Sequence, residues 1–293
     1  MKIKDIYKQK KTVISLEVFP PKYTSPIETV FETLENLKGV APDFISVTYG
    51  AGGKAKDRTV EIAEKIKKDY GIESMAHLTC ISATKEQTAA NIARMKERGI
   101  ENVMALRGDI PEDPDFAFPS PLEYDHACDL VRELRADGSF CIGAACYPEG
   151  HLDSPNLKTD IKYLKTKVDS GVDFLVSQLF FDNEEFFDFM EKVEIAGIDV
   201  PVSAGIMPVL NKNQILRMTK LSGCKLTKKL KRMLDRYGDN PEALKEAGEA
   251  YATEQIIDLM TWGIRGIHLY TMNKADTARR IIDNIQSIRR LQE

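Results

Sequence analysis

Eight short runs rich in β-branched and other apolar residues recur along the whole chain, and longer segments with a helical pattern separate them. The runs cover residues 13–19, 44–50, 74–80, 102–109, 141–148, 174–181, 202–208 and 267–273. The segments between them, such as DRTVEIAEKIKKDYG and TKEQTAANIARMKERGI, carry apolar residues at helical spacing and reach a glycine at or near the end. Strands that alternate with helices predict a parallel sheet, and eight such units predict a closed barrel. The predicted fold class is therefore α/β, a (β/α)8 or TIM barrel.

The connection between the seventh and eighth runs is longer than the others. Residues 209–265 contain the helical segments KNQILRMTKLSG, KLTKKLKRMLDRYG and NPEALKEAGEAYATEQIIDLMTWG. Asn240 and Pro241 are of the types that cap and begin a helix. We expect extra helices here, between the last two strands and over the end of the barrel. Because no linker rich in proline and glycine interrupts the chain, residues 1–293 are expected to form a single domain.

Composition favours a small molecule as partner. The chain of 293 residues is 43% hydrophobic and 29% charged, with a net charge of −4 at pH 7. Surfaces that bind nucleic acid or anionic membranes usually carry excess basic residues, so neither partner is expected. The N-terminus lacks a signal-peptide pattern and no run of about 18 apolar residues occurs, which predicts a cytoplasmic protein without a membrane segment. The five cysteines contain no C-x-x-C pair, so neither a disulfide framework nor a metal site is predicted.

Alternation within the runs predicts which side chains face the barrel axis. In the first run Ile14, Leu16 and Val18 alternate with Ser15 and Glu17. If the aliphatic side chains face the helices, the polar ones face the axis. The same rule brings polar groups from the other runs to the axis: Ser46, Thr48, His77, Thr79, Arg107, Asp109, Tyr147, Gln178, His268 and Tyr270. Since active sites of such barrels lie at the C-terminal ends of the strands, these groups are expected to converge there.

Glu17 is the most informative of these residues. A carboxyl group among apolar neighbours has a raised pKa and can act as a general acid near neutral pH. A partly solvated glutamate at a strand end, or the partner of a cation, explains the residue about as well. His77 has no second histidine at metal-ligand spacing, so a core or cofactor-contacting imidazole is favoured over a metal ligand. Arg107 and Asp109 of LRGD form either a structural ion pair or part of the site.

Several familiar chemistries are excluded. No lysine has the inward parity in any run, which argues against a Schiff-base aldolase. The chain contains neither G-x-G-x-x-G nor G-x-x-x-x-G-K, so the Rossmann and P-loop ways of holding a nucleotide are absent. The glycine-rich segment 51–59 either cradles an anion on its backbone or forms a tight turn, and the turn is favoured.

The motifs of the chain, in their order and spacing, resemble the methylenetetrahydrofolate reductase family of the bacterial single-domain type. The resemblance covers essentially the whole chain through LEVFPPK, FISVTYGAGG, HLTC, ALRGD, CYPEGH, KTDIKYLKTKVDSGVDFLVSQLFFD, GIMPV and HLYTMNKAD. It implies a barrel that binds FAD at its mouth and reduces 5,10-methylenetetrahydrofolate to 5-methyltetrahydrofolate in a ping-pong cycle. It also implies that Glu17 is the general acid and that Asp109 contacts the pterin and tunes the flavin.

The resemblance also assigns two sets of binding residues. The residues implied to contact FAD are Thr48, His77, Leu106, Arg107, Gly108, Asp109, Tyr147, His151, Asp160 and Lys167. The residues implied to contact folate are Glu17, Asp109, Gln178, Gln214, Tyr270 and Lys274. Lys274 stands where members of the family often have arginine, so bidentate recognition of a carboxylate would be lost.

The electron donor is less determined than the substrate. Members that use NADH stack an aromatic residue on the nicotinamide cofactor, and the equivalent here is Met218, which does not reproduce ring stacking. NAD(P)H is slightly favoured over an iron–sulfur partner subunit, and a homo-oligomer is expected. The alternatives are another FAD-bound barrel oxidoreductase, of the proline dehydrogenase type, or the flavin subunit of a larger electron-transfer complex.

Overall fold

Eight parallel strands close into a barrel in sequence order, with β1 paired to both β2 and β8. The computed structural model describes residues 1–22, 24–49, 56–110 and 118–292, without the side chains of residues 56 and 57. The strands are β1 Val13–Val18, β2 Phe44–Val47, β3 Glu73–Thr79, β4 Asn102–Leu106, β5 Cys141–Cys146, β6 Phe174–Ser177, β7 Val202–Ile206 and β8 Gly266–Tyr270. The predicted (β/α)8 barrel is confirmed. We call the C-terminal end of the strands the mouth.

Helices connect successive strands, and further helices precede β1 and follow β8. They are α1 Ile3–Gln9, α2 Glu28–Leu37, α3 Lys56–Tyr70, α4 Lys85–Glu97, α5 Ala127–Asp137, α6 Leu157–Asp169, α7 Asn183–Ile195, α8 Lys212–Ser222, α9 Lys228–Tyr237, α10 Pro241–Trp262, α11 Ala275–Asn284 and α12 Gln286–Arg290. Helices α8, α9 and α10 are the extra helices expected between the last two strands. As predicted, Asn240 caps α10, because its Oδ1 accepts a hydrogen bond from the Ala243 backbone N–H at 3.1 Å.

The core has two parts because alternate strand residues face opposite ways. Ile14, Leu16 and Val18 pack in the main core together with residues of the surrounding helices. A second cluster fills the barrel interior near the N-terminal ends of the strands, and it includes Val13, Phe44, Met75, Met104 and Phe174. The predicted direction of the aliphatic side chains is confirmed. Polar inward side chains are consequently concentrated in the upper half, towards the mouth.

Helix α1 closes the end of the barrel opposite the mouth, a feature not predicted from the sequence. Its side chains Ile3, Ile6 and Tyr7 are buried in the interior cluster. The Tyr7 hydroxyl lies 2.6 Å from Ser203 Oγ, and Asn102 Oδ1 accepts a hydrogen bond from the Ile3 backbone N–H at 2.8 Å. The barrel is therefore open to solvent at its mouth and filled at its base. Within the described ranges, no helix has the length and apolarity needed to cross a membrane.

Candidate active site

Glu17 lies at the mouth end of β1, with its side chain 17% exposed. The strand register sets it beside Ser46 on β2 and Tyr270 on β8. Three side chains approach the same carboxylate oxygen, Oε2. Ser46 Oγ lies 3.4 Å away, His268 Nε2 3.4 Å and His77 Nε2 3.5 Å. In the described part of the chain, every hydrogen bond found to this carboxyl group reaches Oε2, so Oε1 is left to face the mouth.

A second layer of contacts fixes the imidazole of His268, which is 1% exposed. Its Nδ1 lies 2.8 Å from Ser15 Oγ, two residues before Glu17 on the same strand. The ring of Phe44 stacks on it at a centroid distance of 6.4 Å, and Tyr270 meets it edge to face at 5.3 Å. The Tyr270 hydroxyl in turn donates to the Ser177 carbonyl at 2.8 Å. His268 therefore has two aromatic neighbours and a polar contact at each of its nitrogens.

The loop after β8 holds the backbone around Glu17. Thr271 Oγ1 donates to the Glu17 carbonyl at 2.6 Å. The Asn273 side chain accepts from the Phe19 N–H at 3.1 Å and donates to the Phe19 carbonyl at 2.9 Å. Met272 and Asn273 both have left-handed backbone angles, with φ of 51° and 54°. Consecutive non-glycine residues in this region are uncommon and cost free energy, so the two hydrogen bonds to Phe19 help to stabilise the turn.

The protonation of Glu17 differs from the expectation. Burial raises the pKa of its carboxyl group, but the hydrogen bond from His268 and the charge that His77 gains in acid together lower the pKa below its ordinary value. The prediction of a raised pKa is therefore wrong for the chain without ligands. Its physical reason is that the apolar neighbours of Glu17 are on its own strand, whereas imidazoles face it from β3 and β8.

His77 is buried, and its Nε2 has no hydrogen-bond partner among the described residues. Burial lowers its pKa to about 4, although the charge of Glu17 opposes this. The imidazole is therefore neutral at pH 7. An unpartnered polar atom in a candidate site is the kind of group that a bound ligand satisfies.

The end of β4 and the segment after it carry four of the residues implied to bind FAD: Leu106, Arg107, Gly108 and Asp109. Arg107 forms an ion pair with Asp153 at 3.0 Å, and Asp109 is exposed. The alternative of an Arg107–Asp109 structural pair is therefore not what the structure contains. Gly108 has φ of 87°, and a Cβ there would lie 2.8 Å from Cβ of Thr79, so glycine is required where the strand turns into the loop.

The loop after β5 and helix α6 carry four more of the residues implied to bind FAD: Tyr147, His151, Asp160 and Lys167. The rings of Tyr147 and His151 meet edge to face at 4.6 Å. Asp160 is buried and accepts a hydrogen bond from Ser154 Oγ at 2.8 Å. Lys167 Nζ donates to the Ala145 carbonyl at 2.6 Å, and burial lowers the pKa of its ammonium group.

These residues fit a flat, anionic dinucleotide such as FAD. No ion pair of Lys167 is found among the described residues, so its charge is available to an anion. Arg107 offers a second cation about one third exposed. The orphaned His77 Nε2 and the Tyr147 ring lie nearer the axis, where a ring system would sit. Arg107, His151 and Lys167 would therefore hold the diphosphate side, and Leu106, His77 and Tyr147 the ring side.

The residues implied to bind folate are distributed over several elements. Gln178 directly follows β6, and its Oε1 accepts a hydrogen bond from the Leu179 N–H at 2.9 Å. Gln214 is in the first turn of α8, and Tyr270 ends β8. Lys274 is exposed at the start of α11, where it lines a surface groove with Arg279 and Asn273. The structure brings Gln178 and Tyr270 to the mouth and puts Lys274 outside it; the roles of all four stay predictions.

Met218 is half-buried on α8 and packs on an apolar cluster above β6 and β7. Met207 and Val209, which follow β7 closely, are members of that cluster. The cluster also contains three leucines of α9 and α10: Leu230, Leu234 and Leu244. This packing holds α8 against the segment that follows β7, and the role of Met218 stays a prediction.

The structure describes only the second part of the glycine-rich segment 51–59. Residues 51–55 lie outside the described residues. Arg58 donates to the carbonyls of Pro21, Lys22 and Ser25, and Thr59 Oγ1 donates to the Thr48 carbonyl at 2.9 Å. The DRT motif therefore ties the loops after β1 and β2 together. In the described ranges, no group of three or more His, Cys, Asp or Glu side chains could hold a metal ion.

Sequence reasoning gave no positioning role to five residues around Glu17: Ser15, Ser46, His268, Thr271 and Asn273. Inward parity gave a signal for Ser15, Ser46 and His268. Alternation along a strand predicts that a side chain faces the axis. It does not predict which other inward side chain it contacts.

Comparison with known proteins identifies relatives along most of the chain. The family model for methylenetetrahydrofolate reductase matches residues 2–286. The 5,10-methylenetetrahydrofolate reductase of Escherichia coli is 34% identical over 268 residues, covering 92% of this chain and 88% of that protein. A methylenetetrahydrofolate reductase (NADH) of Arabidopsis thaliana is 36% identical over 295 residues, 97% of this chain. The match covers 50% of the plant protein, so the chain spans about half the length of such relatives.

A solved structure supports the fold alone. A Clostridium thermocellum protein that binds two copies of 5-methyl-5,6,7,8-tetrahydrofolic acid superposes with a TM-score of 0.68, covering 99% of both chains. Its sequence identity to this chain is 15%.

Proposed function

The chain belongs to the methylenetetrahydrofolate reductase family, and from this premise we propose that it reduces 5,10-methylenetetrahydrofolate to 5-methyltetrahydrofolate with FAD as its cofactor. The observation that carries the proposal is the placement of Glu17. Its carboxyl group lies at the mouth between the FAD-side residues on β3 to β5 and the folate-side residues on β6 to β8. We propose that residues 1–293 act as one catalytic domain.

In this proposal the protein residues bind, orient and protonate the substrate. Glu17 donates a proton to the ring nitrogen that leaves when the five-membered ring opens, so an N–H bond forms as a C–N bond breaks. Gln178 and Asp109 hold the pterin, and Lys274 meets the carboxylates of the glutamate tail. When bound and already reduced by the electron donor, the flavin would supply the hydride for the exocyclic carbon that ring opening leaves.

Glu17 must be protonated before it can act, and its pKa is lowered in the chain without ligands. Cofactor and substrate would cover the 17% of the side chain that is exposed. Removing water from a carboxylate raises its pKa. We therefore expect Glu17 to take up its proton as the ligands bind.

The decisive test is the Glu17→Gln variant. It should bind FAD with an unchanged spectrum and accept electrons normally, while folate reduction falls by about 10²–10⁴ because one general acid is lost. Absorbance changes in separate half-reactions measure both steps. Glu35→Gln, an exposed glutamate on α2, is the matched control and should behave as the wild type. Folate turnover retained by Glu17→Gln would remove Glu17 from the acid role.

The same half-reactions separate the alternative activities. Reoxidation of the reduced flavin by methylenetetrahydrofolate supports a folate reductase, and its absence points to another barrel oxidoreductase. Turnover by the isolated chain with an artificial reductant argues against a flavin subunit that works only inside a larger complex.

We propose NADH as the electron donor in a ping-pong cycle, supported by the NADH-dependent plant relatives. Anaerobic mixing of the FAD-loaded protein with NADH should bleach the flavin absorbance faster than mixing with NADPH. If neither nucleotide bleaches it, the donor is a partner protein, as Met218 in place of a stacking aromatic residue would allow.

A further inference from the structure

Glu149 has no part in the proposed function, although it lies between Tyr147 and His151 in the β5 loop (residues 147–156). Its side chain is 8% exposed, and both oxygens of its carboxylate accept a hydrogen bond from the backbone N–H of Lys225, each at 3.1 Å. Lys225 lies in the α8–α9 link (residues 223–227). We infer that Glu149 is a positioning residue that fixes the C-terminal end of α8 against the β5 loop. This inference rests on the proposed function and adds to it a residue outside both implied binding sets.

The β5 loop meets the end of α8 through two neighbouring contacts. A carboxylate that leaves water needs a partner, and burial accordingly raises the pKa of Glu149. The N–H of Lys225 opposes this rise, as does its ammonium group, 3.8 Å from Oε2. Beside this polar contact, a Cβ on Gly223, the residue that ends α8, would lie 2.5 Å from Leu152 Cδ2. The loop therefore holds the end of α8 with a carboxylate and with an apolar side chain.

The connections of α8 explain why its end matters to the site. The helix follows β7 through residues 207–211, so its first turn starts from the mouth end of that strand. The β5 loop starts from the mouth end of β5. Lys225 Nζ also donates to Glu185 at 2.8 Å, in the first turn of the helix that follows β6. Helix α8 and its link thus connect segments that leave the mouth ends of three successive strands.

The β5 loop is the fixed partner in this contact. Its Gly150 N–H donates to the Tyr147 carbonyl at 3.0 Å, and Ser154 Oγ donates to Asp160 of α6 at 2.8 Å. In α8, which the structure describes in full, Ile215 is the one buried residue among eleven. Apolar packing therefore holds the first half of α8, and the contact with Glu149 holds its far end.

Helix α8 carries Gln214 and Met218, which are implied to meet folate and the electron donor. Without Glu149, the end of α8 would lose its polar anchor while the β5 loop kept its own hydrogen bonds. We therefore expect ligands that contact α8 to bind more weakly, and FAD, which the β5 loop would hold, to bind as before.

Amide hydrogen exchange tests the contact without any need for activity. In the purified protein with FAD added, Glu149→Ala should speed exchange in peptides covering residues 216–226 by about tenfold or more, because the lost hydrogen bond is to a charged group. Peptides of α6 should exchange as in the wild type. Glu149→Gln keeps an acceptor oxygen and should restore the protection. Unchanged exchange over residues 216–226 in Glu149→Ala would overturn the inference.

The second test measures ligand binding through the reoxidation of chemically reduced flavin by methylenetetrahydrofolate. In Glu149→Ala the half-saturating folate concentration should rise by about tenfold, while the limiting rate and the affinity for FAD stay near the wild-type values. Glu149→Gln should again be close to the wild type. A variant that merely folds less well would give less active protein with the same half-saturating concentration, and that result would also overturn the inference.

Glu185→Ala is the matched comparison, since it removes the partner of the Lys225 ammonium group and leaves Glu149 in place. The pair between Lys225 and Glu185 is exposed, and such pairs contribute little to stability. This variant should resemble the wild type in both tests. An effect as large as that of Glu149→Ala would assign the anchor to the ammonium group and overturn the role of Glu149.

The outcomes also separate this inference from the proposed function. Faster exchange in Glu149→Ala, together with a wild type that does not reduce folate, would support the anchoring of α8 and refute the proposed activity. Normal folate reduction with an unchanged half-saturating concentration in Glu149→Ala would leave the proposed activity standing and overturn the positioning role.

Discussion

His77 shows how a single buried residue makes the stability of this protein depend on pH. Its imidazole is 6% exposed, has no hydrogen-bond partner at Nε2 in the described chain, and has a pKa lowered to about 4. In an unfolded chain the pKa of histidine is about 6.5. Between these values the unfolded state binds more protons than the folded state. Stability is therefore present above the higher value and is lost as the pH falls towards 4.

We predict that lowering the pH from 7 to 5 costs the wild type about 2 kcal/mol of unfolding free energy through His77. Urea unfolding at the two pH values measures the loss. In His77→Gln the difference between pH 7 and pH 5 should shrink by that amount, whatever the stability at pH 7. His126→Gln should leave the difference as it is. An equal pH dependence in wild type and His77→Gln would contradict the prediction.

Glu17 marks the limit of sequence reasoning at the residue scale. Parity along β1 correctly predicted that its side chain faces the axis near the mouth. Its protonation could not be predicted, because the pKa depends on His77 and His268, which are 60 and 251 positions away in the chain. Local sequence shows the apolar neighbours that raise the pKa. Only the closed barrel shows the two imidazoles that lower it.

At the scale of elements, close packing of α10 on the loop after β7 fixes one wall of the mouth. A Cβ added at Gly248 would lie 1.9 Å from the Val209 carbonyl oxygen. Glycine is therefore needed for contact between the helix and the loop. The sequence predicted α10 from its helical pattern and its cap, but a glycine inside a helix does not reveal which backbone approaches it.

We predict that Gly248→Ala destabilises the protein. Helix propensity alone would stabilise α10 by about 1 kcal/mol. The clash with a backbone oxygen should outweigh this gain, since overpacking costs about 1–3 kcal/mol or more. The sign of the change in unfolding free energy, measured in urea, decides between the two effects. A stabilised variant would show that α10 and the loop after β7 can separate without loss.

At the scale of the whole molecule, the two ends of the barrel differ in the kind of side chain that they contain. The mouth carries the polar residues of the candidate site, and the base is filled by α1 and the apolar interior cluster. All eight strands were predictable because each is a compact apolar run bounded by turn residues. Helix α1 was missed because its burial comes from long-range contacts, such as that between Tyr7 and Ser203, and not from a pattern of useful length.

We predict that Tyr7→Ala separates stability from binding. Truncating a buried aromatic side chain costs about 3–5 kcal/mol, so the unfolding free energy should fall sharply. Binding of FAD at the opposite end should stay close to the wild-type affinity wherever the variant is folded. Fluorescence titration with FAD and urea unfolding give the two quantities. Lys8→Ala, on the exposed face of α1, is the control. A large loss of FAD affinity in the folded Tyr7→Ala variant would show that packing at the base affects binding at the mouth.

The seam between the first and last strands has a consequence for how the site comes into being. Glu17 is translated near the start of the chain, whereas His268, Thr271 and Asn273, which hold it, are among the last 26 residues. A growing polypeptide that stalls before β8 carries the carboxylate without the groups that orient it. The arrangement around Glu17 is therefore complete only after β8 and the loop that follows it have been synthesised.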